Sequence, residues 1–379
     1  MIPLYKKIFF FGAFALALGF TACDDEPAGP DGCANCPAEQ PITGEYNPTA
    51  YSFDYLPDRF PNPIIPPDNP MTEEGIALGR MLFYDPILSR DSTISCASCH
   101  LQSLSFTDGA AVSIGIDNRE GVRSAMPLVN LAFNPRGFFW DGRSATLEEQ
   151  ALIPIEDHRE MDESWDVAEE KLRRHTAYPQ YFRKAFGVEY PSEITREHVV
   201  KALAQFERTL ISYNSRFDKV VWEQQGWPTD LEQEGRDLFF VETALPTQEH
   251  PGCSHCHGSS LFTENNFFNN GISDVEGLEA FADKGLGGFN GNIYDNGKFR
   301  APTLRNIALT APYMHDGRFA TLEEVLDSYA QGGHGVPNED PNIQPFTLTD
   351  EQKEAMIAFL NMLTDTAFTN NPAFADPFK

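Results

Sequence analysis

Two five-residue motifs constrain this chain more than any other feature. Cys96-Ala97-Ser98-Cys99-His100 and Cys253-Ser254-His255-Cys256-His257 are both C-x-x-C-H. In this pattern two thiols add across the vinyl groups of a haem, and the following histidine becomes the proximal iron ligand. With 7 Cys and 9 His in 379 residues, about 0.003 matches are expected by chance, so two are not an accident. A four-cysteine zinc site and a pair of redox CxxC motifs are the rival readings. The histidine directly after each second cysteine and the export signal discussed below weigh against both. The chain is therefore expected to hold two covalently attached c-type haems, through Cys96, Cys99 and His100 and through Cys253, Cys256 and His257.

The sequence around the motifs is repeated. Gly79-Arg80-Met81-Leu82-Phe83 precedes the first, and Gly235-Arg236-Asp237-Leu238-Phe239 the second. Phe106-Thr107-Asp108 and Phe262-Thr263-Glu264 follow them. Asp141-Gly142-Arg143-Ser144-Ala145-Thr146-Leu147-Glu148-Glu149 is echoed by Asp316-Gly317-Arg318-Phe319-Ala320-Thr321-Leu322-Glu323-Glu324. The offset grows from 157 residues at the haem cysteines to 175 at the Asp-Gly-Arg segments. The second half has thus gained about 18 residues, assigned to the Gly/Asn-rich stretch 265–298. A duplicated unit of this kind must bury a haem twice.

Helical signals dominate. Thr72 reads as the N-cap of an amphipathic run to Phe83, and Thr146 and Thr321 cap further helices with acids in the first turn. Apolar 3.6-residue spacing marks 195–224 and 349–363. Period-2 patterns are scarce. The expected fold is all-α, with two tandem cytochrome c-type haem domains over 71–225 and 226–375.

The first 22 residues read as an export signal. Lys6 and Lys7 precede an apolar run from Ile8 to Phe20, too short for a usual membrane-spanning helix. Thr21-Ala22-Cys23 resembles a bacterial lipoprotein site, which would make Cys23 the lipid anchor; an ordinary cleaved signal peptide is the competing reading. Both place the protein in the periplasm or on the outer membrane. Residues 23–70, rich in Pro, Gly, Asn and Asp, read as a tether. Cys33-Ala34-Asn35-Cys36 within it is followed by Pro37 rather than histidine, and reads as a local disulfide in an oxidising compartment. Against 28 Lys+Arg stand 56 Asp+Glu, a formal charge of −28. That excludes a nucleic-acid partner and favours a protein with a basic patch.

A haem that reacts needs an open sixth position, whereas an electron-transfer haem usually fills it with a side chain. No histidine lies between His100 and His158. Met126, Met161 and His158 sit in no evident ligand motif, so the first haem is expected to be five-coordinate or to hold water. The second half offers Met314, His315, Tyr329 and His334.

These motifs, together with Phe139-Trp140-Asp141-Gly142-Arg143, Leu147-Glu148-Glu149-Gln150, Pro302-Thr303-Leu304-Arg305-Asn306 and Ala311-Pro312-Tyr313-Met314-His315-Asp316-Gly317-Arg318, resemble the bacterial di-haem cytochrome c peroxidase family with its MauG-like branch. The resemblance spans roughly residues 54–370. It implies that the N-terminal haem reacts with hydrogen peroxide and that the C-terminal haem receives electrons from a small cytochrome c or cupredoxin. It also implies roles for single residues: Glu160 as acid–base group, Gln150 orienting peroxide, Pro154 beside them, and Trp140 between the haems. Ordinary peroxidases carry a histidine after a Ser-Ile-Gly-like segment that caps the reactive haem. Here Ser113-Ile114-Gly115 is followed by Ile116, as in the MauG-like branch. Tyr329, eleven residues after Arg318, matches the tyrosine ligand of that branch, with Met314 the alternative. Thr310 and Pro312 match carbonyl ligands of an interdomain calcium, while Ser124 stands where the family usually has asparagine. The family is often dimeric. Three functions follow as hypotheses: a peroxidase, a MauG-like oxidase of residues in a partner protein, and a non-catalytic di-haem electron carrier.

Overall fold

The computed structural model describes residues 39–241 and 251–379. The export signal, Cys23 and the Cys33–Cys36 pair lie outside them. The first half carries α1 (Glu73–Tyr84), α2 (Cys96–Cys99), α3 (Leu147–Glu156), α4 (Trp165–Arg174), α5 (Tyr178–Phe186) and α6 (Arg196–Arg208). The second half carries α7 (Asp230–Phe239), α8 (Ser254–His257), β1 (Phe267–Phe268), α9 (Leu286–Asn290), β2 (Phe299–Arg300), α10 (Leu322–Gln331), α11 (Asp350–Met362) and α12 (Thr366–Thr369). Strands β1 and β2 pair antiparallel, with Phe267 opposite Arg300. The chain is thus mostly helical, as expected, and that sheet is small. Among the described residues no helix is long and apolar enough to cross a membrane.

The helices begin where their caps lie. Thr72 Oγ1 accepts the Gly75 N–H at 3.0 Å, Thr146 accepts that of Glu149 at 3.1 Å, and Thr321 that of Glu324 at 3.2 Å. Each bond satisfies an N–H that the first helical turn leaves without a partner.

The sequence repeat is also a repeat of backbone geometry. Helix α1 crosses α6 at Gly79, where an added Cβ would overlap the Ala202 carbonyl beside Phe206. Helix α7 crosses α11 at Gly235 in the same way, against the Ala355 carbonyl and Phe359. Four matched pairs share a left-handed φ: Phe106 and Phe262 (60° and 53°), Asn130 and Asn306 (59° and 64°), Phe139 and Met314 (64° and 73°), and Gly142 and Gly317 (70° and 64°). Three of these pairs contain no glycine. A conformation that L side chains rarely adopt, kept twice, must be imposed by the surroundings.

Three boundaries differ from the sequence expectation. Residues 41–70, read as the second part of a tether, pack on the body: the Ile42 N–H donates to Glu189 O at 2.8 Å, the Tyr51 N–H to Met71 O at 3.1 Å, and Phe60 is buried against Phe133, Ile211 and Leu261. Their proline content gave no periodicity, yet their aromatic side chains supply apolar area to bury. The helix expected over 195–224 ends at Arg208, because Asn130 and Asp365 capture the backbone of 212–214 in its place. Phe217 and Val220 then enter the core of the second half, ahead of the boundary expected at 225/226. Conversely, the C-terminal Phe368 and Phe374 enter the first core, and Arg80 and Tyr84 donate to the carbonyls of Ala375 and Phe374, both at 2.6 Å. Each core takes side chains from the span expected to form the other half.

Candidate active site

Each half encloses a cavity. The first, of about 460 Å³, is lined by Cys96, Cys99, His100, Gln150, Pro154 and Glu160, among others. Helix α2 is a single turn that puts Cys96 and Cys99 on one side, and His100 follows as its C-cap, its N–H donating to Cys96 O at 3.0 Å. The His100 Nδ1 lies 2.7 Å from the Phe106 carbonyl. A carbonyl only accepts, so Nδ1 carries the proton and Nε2 keeps its lone pair for a metal. The left-handed Phe106 aims that carbonyl, which gives the strained backbone a local purpose. Burial lowers the His100 pKa and pushes the Cys99 thiol up to about 11, with Cys96 raised further. Neither pair forms a disulfide.

Gln150 and Pro154 stand one turn apart on α3 and face the same cavity. Glu160 enters from the loop after α3. Burial, with Asp157 adding to it and Arg143 opposing it, raises its pKa to about 7. A carboxyl that titrates near neutrality can both take and give a proton there. Its backbone is fixed from the other side, since Ile116 donates its N–H to Glu160 O at 2.9 Å. Ile116, where ordinary peroxidases carry a histidine, is itself buried. Met126 and Met161 line the cavity, whereas His158 is exposed and does not. Among the described residues lining this cavity, His100 is the single histidine.

The second cavity, of about 200 Å³, is lined by Cys253, Cys256, His257, Met314, His315 and Tyr329, among others. The His257 pKa is pushed down to about 4 by burial. Its buried Nδ1 lies near the Phe262 and Pro302 carbonyls but meets hydrogen-bond geometry with neither. Burial raises Tyr329 to about 12, opposed by a hydrogen bond from Asn270. Asn270 Nδ2 donates to Tyr329 Oη at 3.2 Å and to Met314 Sδ at 3.5 Å. Both candidate sixth ligands therefore converge on one side chain. His315 instead stacks on Phe299, with ring centroids 3.6 Å apart, and His334 does not line the cavity.

Two residues, Trp140 and Arg300, line both cavities. Trp140 is held by its indole N–H on Ser124 O at 2.9 Å, and its carbonyl accepts the Arg300 N–H at 2.8 Å. Ser124 Oγ donates to Met314 O at 2.9 Å and approaches His315 O at 3.4 Å. Thr310 is buried, its hydroxyl donating to Ile307 O at 3.2 Å, and the Ala311–Pro312 peptide is cis. Among the described residues, no group of three or more His, Cys, Asp or Glu side chains could hold a metal.

Three residues escaped the sequence reading. Asn270 lies in the Gly/Asn-rich stretch 265–298, to which the extra residues of the second half are assigned. Glu207, on α6, lines the first cavity with its Oε2 buried and unpartnered, and burial raises its pKa to about 8. Arg300 sits between recognisable motifs. Only its repeat partner Ser124 hinted that a charge there is a departure.

A family model described as di-haem cytochrome c peroxidase matches residues 73–226. The methylamine utilization protein MauG of Methylorubrum extorquens is 37% identical over 301 residues, which cover 79% of this chain and 80% of that protein. Cytochrome c551 peroxidase of Nitrosomonas europaea is 35% identical over 287 residues, covering 76% and 79%. A solved MauG-like protein associated with microbial copper homeostasis superposes with a TM-score of 0.80 at 37% identity, over 87% of this chain and all of that one. The chain belongs to the di-haem cytochrome c peroxidase family, and its relatives include both the peroxidases and MauG. The residues fit the cofactor that this family's description names. Each cavity joins two cysteines to a histidine, the His100 tautomer leaves Nε2 free, and a buried cation stands at both cavities.

Proposed function

We propose that this enzyme reduces hydrogen peroxide to water in the first cavity, with electrons that enter through the second from a small cytochrome c or cupredoxin bearing a basic patch. Cys96 and Cys99, and Cys253 and Cys256, would hold two haems c in tandem cytochrome c-type units, with His100 and His257 as proximal ligands and Tyr329, rather than Met314, as the second ligand of the C-terminal haem. When bound, the haems supply the redox chemistry that breaks the O–O bond. The overall balance is one peroxide, two electrons and two protons to two waters.

The chain's own groups manage the protons. Glu160 in its ionised form takes the proton from one peroxide oxygen and returns it to the departing one, which leaves as water, while solvent supplies the two protons that the other oxygen needs. Gln150 orients the peroxide by hydrogen bonding, and Trp140 stands on the route between the centres. The observation that carries this reading is Glu160, which shares one cavity with His100 and is tuned to about 7. Glu160→Gln tests it: peroxide turnover should collapse while both haems stay attached, and retained turnover would remove Glu160 from the reaction.

One observation favours a second reading. Tyr329 lines the second cavity under an Asn270 donor, and an anionic axial ligand lowers a haem potential, which suits MauG-like oxidation of residues in a partner protein. Candidate partners incubated with peroxide and screened for mass gain separate the two. The third, a di-haem electron carrier, predicts no peroxide chemistry at all. The proposal also includes export to the periplasm with a lipid at Cys23, a homodimer, and a calcium ion held by oxygens of Ser124, Thr310 and Pro312.

A further inference from the structure

Arg300 is a buried cation without an anion. Its residue is 5% exposed, and its Nε is buried with no hydrogen-bond partner. Its Nη2 reaches only the Met126 sulfur, at 3.4 Å. Among the described residues no carboxylate forms an ion pair with it, although the chain carries twice as many acids as bases. Burial alone acts on its pKa, lowering it to about 10. Leaving a guanidinium buried and unpaired costs several kcal/mol, so the loaded protein must bring a counter-charge to it. The side chain is also held in place from behind: β2 fixes its backbone to β1, and its N–H is bound to Trp140 O. Among the described residues, only Arg300 and Trp140 line both cavities.

We infer that Arg300 is a shared anchor for haem carboxylates, its forked guanidinium receiving a propionate from each of the two cavities. Arginine suits this task because its planar fork presents several donors to carboxylate oxygens at once. The inference rests on the di-haem reading and adds a consequence to it. One side chain sets the local charge at both irons, so the two potentials are tied to the same residue. The first half has Ser124 at the matching position, so the anchor belongs to the contact between the repeats and not to the ancestral unit.

The test uses the haem-loaded protein and reads potentials, not turnover. Arg300→Gln is checked for two haems per chain by pyridine haemochrome and then titrated spectroelectrochemically. A nearby positive charge favours the less positive, reduced iron, so both midpoints should shift to more negative values. A shift at one haem only, or at neither, overturns the inference. If Arg300→Gln does not load haem, Arg300→Lys decides by resonance Raman: the propionate-bending bands of both haems should move, and unmoved bands overturn the inference. Wild-type midpoints that follow the chloride or acetate concentration, with those bands unmoved in the lysine variant, would assign the guanidinium to a free anion and overturn it too. A wild-type chain with fewer than two haems would instead defeat the di-haem reading on which it rests.

Discussion

The two cavities share one scaffold and differ in what fills it. Both are reached by a glycine-mediated helix crossing, a C-x-x-C-H turn, and matched left-handed residues at Phe106 and Phe262 and at Phe139 and Met314. Past that frame they diverge. The first holds two carboxyls pushed up by burial, Glu160 and Glu207, together with Gln150. The second presents apolar side chains with Tyr329, Met314 and Asn270. Even the matched position before Asp-Gly-Arg differs, being Trp140 in one half and His315 in the other. On the proposed function, the duplicated frame positions a cofactor twice, and what varies is proton handling in one copy and ligation in the other.

Breaking the difference should produce the largest effects. Glu160→Gln should lower peroxide turnover by about 10²- to 10⁴-fold, whereas Tyr329→Phe should change the spectrum and potential of the second haem with both haems retained. Steady-state kinetics beside optical spectra check this pair. Turnover should also rise with pH through about 7, because the ionised form of Glu160 accepts the peroxide proton and burial holds its pKa there. The Gln variant should lack this rise, and an unchanged profile would assign the titration to another group.

Smaller effects test the shared frame. Gly79→Ala and Gly235→Ala should each cost about 1–3 kcal/mol, since both methyls meet a helix carbonyl; denaturant melts that find one position neutral would break the equivalence. Smallest of all, Thr146→Ala and Thr321→Ala should each cost about 1 kcal/mol, read as shifts of the thermal midpoint.

Much of this was legible in the sequence because it is local chemistry. A haem motif, a threonine cap and an Asp-Gly-Arg turn each carry their signal within a few residues. Glu160 and Gln150, singled out by family resemblance, line one cavity, Tyr329 lines the other, and Trp140 lines both. What stayed hidden is long-range. Nothing near Phe368 or Phe374 announces that they enter the first core, nor does Phe217 show locally that it serves the second. Residues 41–70 carry a linker's composition, yet they supply Phe60 to a buried cluster. Arg300 and Asn270 acquire meaning only through the cavities they face, and Glu207 reads on α6 as one more charge in a helical pattern.

On the proposed function, the first cavity holds the open, peroxide-reactive centre and the second a centre closed by a side chain. The most direct test is EPR of the diferric protein before and after one equivalent of hydrogen peroxide. One high-spin and one low-spin haem are expected at rest, with the high-spin signal lost on addition. Two low-spin signals that peroxide leaves unchanged would contradict this reading.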